Sequence, residues 1–115
     1  MFTSEYEALS SAAVSKKNLF TKNPLGFLVS SMVAGMFISF GSFIAMCIGG
    51  FSTAAGSDMT KFLVSFTFAA ALSLVIMAGC ELFTGNNLVL SAGAFKKKIT
   101  WGDAIKLWIV CYLGN

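Results

Sequence analysis

The sequence predicts an all-α membrane protein with three spans, the second of them broken. Of its 115 residues, 57% are hydrophobic and 11% charged, and the mean hydropathy of +0.80 lies well above that of soluble domains. The net charge of +3, from eight Lys against five acidic residues, is too small and too dispersed for nucleic-acid binding. We therefore expect a lipid bilayer as a partner and no nucleic acid.

The three cysteines, Cys47, Cys80 and Cys111, lie within apolar runs, and the chain has no His. Their spacing fits neither a zinc site nor a secreted disulfide framework. We interpret them as small hydrophobic residues and expect neither a metal site nor a cofactor.

Residues 1–22 predict a short amphipathic helix on the cytoplasmic membrane surface. Ser4 and Glu7 have the spacing of a capping box, in which each side chain satisfies a backbone amide of the other residue. Tyr6 and Ala13 belong to one apolar stripe, and lysines follow it. A frayed polar tail is the alternative.

The first span is predicted over residues 24–50, where no residue is charged. Such a helix extends about 40 Å, enough to cross a hydrocarbon core of about 30 Å with some tilt. Ser31, Gly35 and Ser39 place small side chains on one face, where a neighbouring helix can approach closely.

The third span is predicted from about residue 103 to residue 115. Thr100 and Asp103 suit a helix start, and Trp101 suits a membrane interface. Only about 18 Å of helix fits after Asp103, against about 30 Å for a full crossing. We therefore expect the chain to be the N-terminal piece of a longer protein.

The lysines predict the orientation of the chain in the membrane. Lys96, Lys97 and Lys98 form a basic loop after the second span, and short basic loops tend to stay in the cytoplasm. With the lysines of the N-terminal segment, they predict a cytoplasmic N-terminus. We expect a multi-pass protein of the plasma (inner) membrane.

The second span, predicted over residues 62–95, is too long for one straight helix. Its only charged side chain is that of Glu81, and an unbroken helix would extend about 51 Å. The stretch from Gly79 to Asn87 holds two Gly and two Asn, so we expect the backbone to leave helical geometry there. At membrane depth such backbone is tolerated only inside protein or beside a water-filled cavity, which makes it a candidate functional site.

The predicted break offers a place for an anion. The helix that resumes near Thr84, Gly85 and Asn86 would direct free amides and its positive dipole end at the gap. The Thr84 hydroxyl is expected to cap this helix or to donate to a ligand. For Glu81 two roles stay open: a structural one, which fixes the loop, and proton exchange or gating.

Four apolar side chains near the break are candidates for a pore constriction. Phe68 and Leu72 lie one turn apart before the break, and Leu82 and Phe83 lie within it. An apolar constriction raises the desolvation cost of a passing ion. Ordinary helix packing is the alternative for each of them.

Four motifs, in this order, resemble the formate/nitrite transporter family: Asn23–Phe27, Gly79–Asn86, Ile99–Gly102 and Tyr112–Asn115. The segment Glu-Leu-Phe-Thr-Gly-Asn at the break is the specific one. The motifs are nearer to those of the nitrite and hydrosulfide members than to those of the formate channels. The similarity extends from about Asn23 to the last residue.

The resemblance implies an aquaporin-like six-helix protomer built from two inverted three-helix halves, of which this chain matches the first. It also implies a homopentamer in which each protomer has its own pore. Thr84 would contribute to the central anion site, and Phe68, Leu72 and Leu82 would match the apolar slits around it. The family's other central residue belongs to the second half.

The function predicted from both lines of reasoning is a channel or transporter for small monovalent anions, of the hydrosulfide, nitrite or formate type, and their weak acids. No catalytic residues are expected, because the chain lacks a His base, a phosphate-binding Gly loop and an activated nucleophile. One alternative is an aquaglyceroporin-like channel, although Asn86-Asn87-Leu88 is not the Asn-Pro-Ala motif of those proteins. The other is a non-conducting membrane anchor subunit.

Overall fold

The computed structural model describes residues 2–115, which form an all-α structure, as predicted. The helices are α1 (Thr3–Lys22), α2 (Pro24–Ala54), α3 (Thr60–Met77), α4 (Phe83–Phe95) and α5 (Trp101–Gly114).

The helices belong to two compact units. The first contains the residues up to Val33 together with Glu81–Asn115, and the second is Ala34–Cys80. The first unit has a core of side chains from α1, the start of α2, α4 and α5, among them Ala13, Phe27 and Leu90. The candidate break lies where the chain passes from the second unit to the first.

Helices α2 and α3 are long and apolar enough to cross a membrane, with a mean hydropathy over 18 residues of 2.0 in α2 and 1.8 in α3. Large hydrophobic side chains are exposed along both, for example Phe43, Met46 and Phe66. Exposed apolar surface of this extent suits lipid or further protein rather than water. The exact limits of the membrane spans stay a prediction.

Small residues bring helices close together within each unit. In the second unit, a Cβ built on Gly41 would lie 2.2 Å from the Cβ of Ala71. In the first, a Cβ built on Gly114 would lie 2.5 Å from the Cβ of Ser31, a member of the predicted small-residue face. A larger side chain at either glycine would therefore push two backbones apart.

The N-terminal segment is helical rather than frayed, but the predicted capping box is wrong. Phe2 occupies the N-cap position, and no side chain caps α1. Ser4 Oγ donates to Glu5 Oε2 at 2.9 Å, and the Glu7 carboxylate binds Lys96 and Lys98 instead. A carboxylate gains more from two ammonium groups than from one local amide.

Glu7 instead joins α1 to the loop after α4. Its carboxylate binds Lys96, and Lys98 Nζ lies 2.8 Å from Glu7 Oε2. The apolar stripe of α1 also meets protein, since Ala13 is fully buried and would lie 2.4 Å from a Cβ on Gly93. Helix α1 thus packs against α4.

The predicted start of α5 is confirmed. Thr100 is the N-cap, and its hydroxyl accepts a hydrogen bond from the Asp103 N–H at 3.1 Å. The Asp103 carboxylate in turn accepts from the Thr100 N–H at 3.2 Å. This reciprocal pair is a capping box built from residues three positions apart.

Candidate functional site

Helix α3 ends in a Schellman motif centred on Gly79. The Gly79 N–H donates to the carbonyl of Ile76 at 3.1 Å, and the Cys80 N–H donates to the carbonyl of Val75 at 3.0 Å. Gly79 has a φ of +63°, which costs a residue with a Cβ about 1–2 kcal/mol. This glycine is the local reason that the helix stops there.

Helix α4 begins at Phe83, so the non-helical segment is shorter than the sequence predicts. Leu82 is the N-cap, with extended backbone and no side-chain cap. The Asn86 N–H donates to the Leu82 carbonyl at 2.9 Å, as in a regular helix. The prediction that the backbone is irregular as far as Asn87 is therefore wrong. Thr84 lies in the first turn of the helix and does not cap it.

The first turn of α4 offers backbone donors. The Phe83 N–H donates to Asn115 Oδ1 at 2.8 Å. Among residues 2–115, none accepts a hydrogen bond from the N–H groups of Thr84 and Gly85 or from the Thr84 hydroxyl. Both residues are exposed, so these donors and the positive end of the helix dipole face an open side.

Asn115 holds this helix start in place with both ends of its amide. Its Oδ1 accepts from Phe83, while its Nδ2 donates to the Ser31 carbonyl at 2.6 Å and to the Glu81 carbonyl at 3.0 Å. One side chain of α5 thereby joins α2, the segment before α4 and α4 itself. Losing it would remove one donor from each of these two carbonyls and the acceptor of the Phe83 N–H.

Glu81 is buried, with 5% of its surface exposed, and its carboxylate pairs with Lys16. Lys16 Nζ, from α1, lies 2.5 Å from Glu81 Oε2. The Glu81 N–H donates to Ser30 Oγ at 3.2 Å, and its carbonyl accepts from Cys111 Sγ at 3.2 Å. An unpaired buried carboxylate would be very costly, so the lysine compensates its charge.

Asn86 is also buried, at 1% exposure. Its Nδ2 donates to Cys111 Sγ at 3.2 Å, and its carbonyl accepts from Trp108 Nε1 at 3.2 Å. These bonds direct Asn86 towards α5, in the interior of the first unit. Its predicted part in a pore therefore stays a prediction, whereas its contact with α5 is observed.

An open cleft of about 530 Å³ lies beside Thr84. Its walls come from the start of α4 and the end of α5: Leu82, Phe83, Thr84, Tyr112, Leu113 and Asn115. Phe83 and Tyr112 meet edge to face, with ring centroids 5.3 Å apart. The structure thus brings three predicted site residues, Leu82, Phe83 and Thr84, to one apolar cleft with polar donors at its edge.

Phe68 and Leu72 lie on α3 in the second unit. About half of each side chain is exposed within this chain, 43% for Phe68 and 48% for Leu72. Both are thus available for contacts beyond the chain. Their predicted constriction with Leu82 stays a prediction.

Sequence reasoning missed the side chains that hold the break in position. Asn115 carried a signal, because a polar amide at the end of an apolar run needs a partner. Lys16 is one of the lysines that follow the apolar stripe of residues 1–22, and the sequence pattern assigns it only to the membrane surface. Its pairing with Glu81, 65 positions away, has no local signature.

Among the described residues, no cluster of three or more His, Cys, Asp or Glu could hold a metal ion.

The comparisons with known proteins agree with the helical architecture. The family model described as "Formate/nitrite transporter" matches residues 3–115. An uncharacterized transporter of Bacillus subtilis, YwcJ, is 32% identical over 100% of this chain and 45% of its own length. The nitrite transporter NirC of Escherichia coli is 33% identical over 100% of this chain and 42% of its own length.

A solved structure described as an "FNT family ion channel" superposes with a TM-score of 0.91 at 32% sequence identity. The match covers 98% of this chain and 44% of that one. The chain thus spans less than half the length of the proteins it matches. These relatives are transporters and channels, so the expectations of a membrane protein and of no enzymatic activity are confirmed.

Proposed function

The chain belongs to the formate/nitrite transporter family, and from this premise we propose that it forms part of a membrane channel for small monovalent anions and their weak acids. The substrate would be of the nitrite, hydrosulfide or formate type. The observation that carries the proposal is the start of α4, where the Thr84 and Gly85 amides have no acceptor among the described residues and Thr84 lines an open cleft.

The proposed mechanism is an exchange of hydration for protein donors. An anion that leaves water loses several kcal/mol of solvation unless other donors replace it. Two backbone amides and the Thr84 hydroxyl provide such donors. The helix dipole adds a partial positive charge, and no full positive charge is needed. Binding of this moderate strength suits conduction, because the ion must also leave.

We propose the structural role for Glu81 rather than proton exchange. Lys16 compensates its charge, which removes the repulsion that a bare carboxylate would exert on an anion near the break. The Glu81 backbone also accepts from Asn115 and Cys111. On this proposal, Glu81→Gln conducts over the same pH range as the parent protein, provided that it folds.

The finer architecture belongs to the same proposal. Helices α3 and α4 would be the two halves of one discontinuous membrane helix, and a second, inverted three-helix half would complete the protomer. Phe68, Leu72 and Leu82 would form the apolar slit beside the Thr84 donors. Five protomers would assemble in a ring, each with its own pore.

The proposed location is the plasma (inner) membrane, with the N-terminus in the cytoplasm. The contacts of Lys96 and Lys98 with Glu7 support this orientation, since they bring the basic loop to the N-terminal helix. Both basic clusters then lie on one side of the membrane, where the positive-inside rule puts them in the cytoplasm.

The test is anion flux in proteoliposomes that contain the protein, with Thr84→Val against Thr84→Ser. Valine has nearly the shape of threonine but lacks its hydroxyl, so flux should fall, whereas serine keeps the donor and should retain flux. Equal flux in both variants would exclude the Thr84 hydroxyl from the site. Equal assembly on a sizing column is the control for folding.

The alternatives are separated by the solute that passes. A swelling assay with formate, nitrite, hydrosulfide and glycerol should give permeability to one or more of the anions. Preference for glycerol would indicate the aquaglyceroporin-like channel, and permeability to none of the four would indicate the anchor subunit.

A further inference from the structure

A second open cleft lies on the first unit, where α4 passes into α5. It has a volume of about 550 Å³, and its walls carry Lys17, Lys97 and Lys98 beside Phe95 and Trp101. It shares no lining residue with the cleft near Thr84. The proposed anion pathway makes no use of it.

Positive charge is in excess around this cleft. Lys17 is paired with Asp103, with Nζ and Oδ2 2.7 Å apart. Lys96 and Lys98 share the single carboxylate of Glu7. One of these two ammonium charges is therefore left without compensation.

Lys97 adds another uncompensated charge. It is exposed, and it forms no ion pair with any carboxylate in the described part of the chain. The Lys97 and Lys98 amides donate to carbonyls of α4. Because these backbone donors are already engaged, an anion here would be bound by the ammonium groups.

The aromatic side chains give the cleft an apolar border. Phe95 and Trp101 pack edge to face with centroids 5.2 Å apart, yet 70% of Phe95 and 47% of Trp101 remain exposed. Trp is enriched where a membrane protein passes the headgroup level of the bilayer. Lysines directly beside such rings match an amphiphile with an anionic head and apolar chains.

We propose that this cleft binds an anionic phospholipid, with its phosphate at Lys97 and Lys98 and its acyl chains along Phe95 and Trp101. Basic pockets between membrane helices bind acidic lipid headgroups in this way. The exposed rings favour lipid over a free phosphate, which would leave them in water. The inference requires a bilayer but not anion conduction, so it can fail or succeed separately from the proposed channel activity.

The test is native mass spectrometry of the intact protein in detergent, titrated with phosphatidylglycerol or with phosphatidylcholine. The parent protein should bind phosphatidylglycerol more tightly. One lysine near a membrane surface is worth about fivefold in binding an acidic lipid, so Lys97→Gln should weaken phosphatidylglycerol binding by about that factor. Phosphatidylcholine binding should not change.

Two further variants at the same position separate charge from folding. Lys97→Arg keeps the charge and should keep the preference. Lys97→Gly removes the charge but suits the left-handed backbone at this position, φ 58°, so it should fold and still lose the preference. Lys61→Gln, at an exposed lysine outside the cleft, is the matched control and should bind like the parent.

Several outcomes would overturn the proposal. They are equal affinity of the parent for the two lipids, an unchanged preference in both Lys97→Gln and Lys97→Gly, and an equal loss in Lys61→Gln. Free glycerol phosphate that binds as tightly as phosphatidylglycerol would also overturn it, because the acyl chains would then contribute nothing.

Discussion

The turn after α3 and the turn after α4 have the same backbone conformation, which also ends α2 at Gly56. Gly79 has a φ of +63° in the first turn, and Lys97 has a φ of 58° in the second. In both, the next residue donates across the helix end, as Lys98 does to the Gly93 carbonyl at 3.0 Å. One turn uses the residue that costs least, whereas the other uses a strained lysine.

The helices that follow these turns also begin differently. Helix α5 starts with a local capping box between Thr100 and Asp103. Helix α4 has no side-chain cap of its own and receives Asn115 from a distant part of the chain. Both helix starts leave two amides without an acceptor among the described residues, those of Thr84 and Gly85 in α4 and those of Trp101 and Gly102 in α5. The two starts thus differ in the origin of the cap, which is local for α5 and tertiary for α4, where the proposed anion site lies.

The largest effect is expected from Asn115→Asp. The new oxygen would face the carbonyls of Ser31 and Glu81 in place of a donor, which should destabilise the protein by about 1–3 kcal/mol. A negative charge at the start of α4 should also lower anion flux. A detergent denaturation series and a proteoliposome flux assay measure the two effects.

Asn87→Asp is the matched control, because it makes the same chemical change on α4 at a residue without a side-chain hydrogen bond to the rest of the described chain. Equal loss of stability in the two variants would contradict the role given to Asn115.

A smaller effect is expected from Gly79→Ala. A built Cβ meets no atom within 4 Å, so the cost should come only from the left-handed backbone, at about 1–2 kcal/mol. The denaturation midpoint should fall accordingly. Gly50→Ala is the control, since its Cβ also meets no atom within 4 Å and its helical backbone accepts alanine. A midpoint unchanged in Gly79→Ala would show that the turn does not need glycine.

The opposite sign is expected at the other turn. Lys97→Gly should raise stability by up to about 1 kcal/mol, because glycine removes the left-handed strain while its greater unfolded-state entropy offsets part of the gain. The same denaturation series measures it. Lower stability would mean that the Lys97 side chain contributes contacts that outweigh the strain.

The smallest effect on stability is expected when the pH is lowered. Hydrogen bonds from Lys96 and Lys98 lower the pKa of Glu7 from 4.5 to about 2. Because the folded protein holds the proton less tightly, this stabilisation is complete above pH 4.5 and is lost as the pH falls towards 2. The melting temperatures of the parent and Glu7→Gln should therefore differ near neutral pH and converge in acid.

Glu5→Gln is the control for that series, since no lysine in the described structure contacts Glu5. A gap between the parent and Glu7→Gln that persists unchanged at low pH would argue against the lysine contacts.

Much of the local structure could be predicted from the sequence. The run without charges predicts a long helix that begins at Pro24, and Thr100 with Asp103 predicts the start of α5. Gly79 predicts the end of α3. The two Asn residues after it misled the prediction, because Asn86 is helical and buried against α5. A polar residue favours a loop only where no tertiary partner satisfies it.

The sequence by itself determined the helices, the turn at Gly79 and the apolar surface that suits a lipid bilayer. Each depends on backbone preferences and hydropathy within a few neighbouring residues. Only the tertiary structure decided that Lys16 compensates the charge of Glu81. It also decided that Glu7 binds Lys96, 89 positions away, instead of capping its own helix. The partner of a polar side chain depends on which distant groups packing brings within hydrogen-bond distance, and no local pattern records that choice.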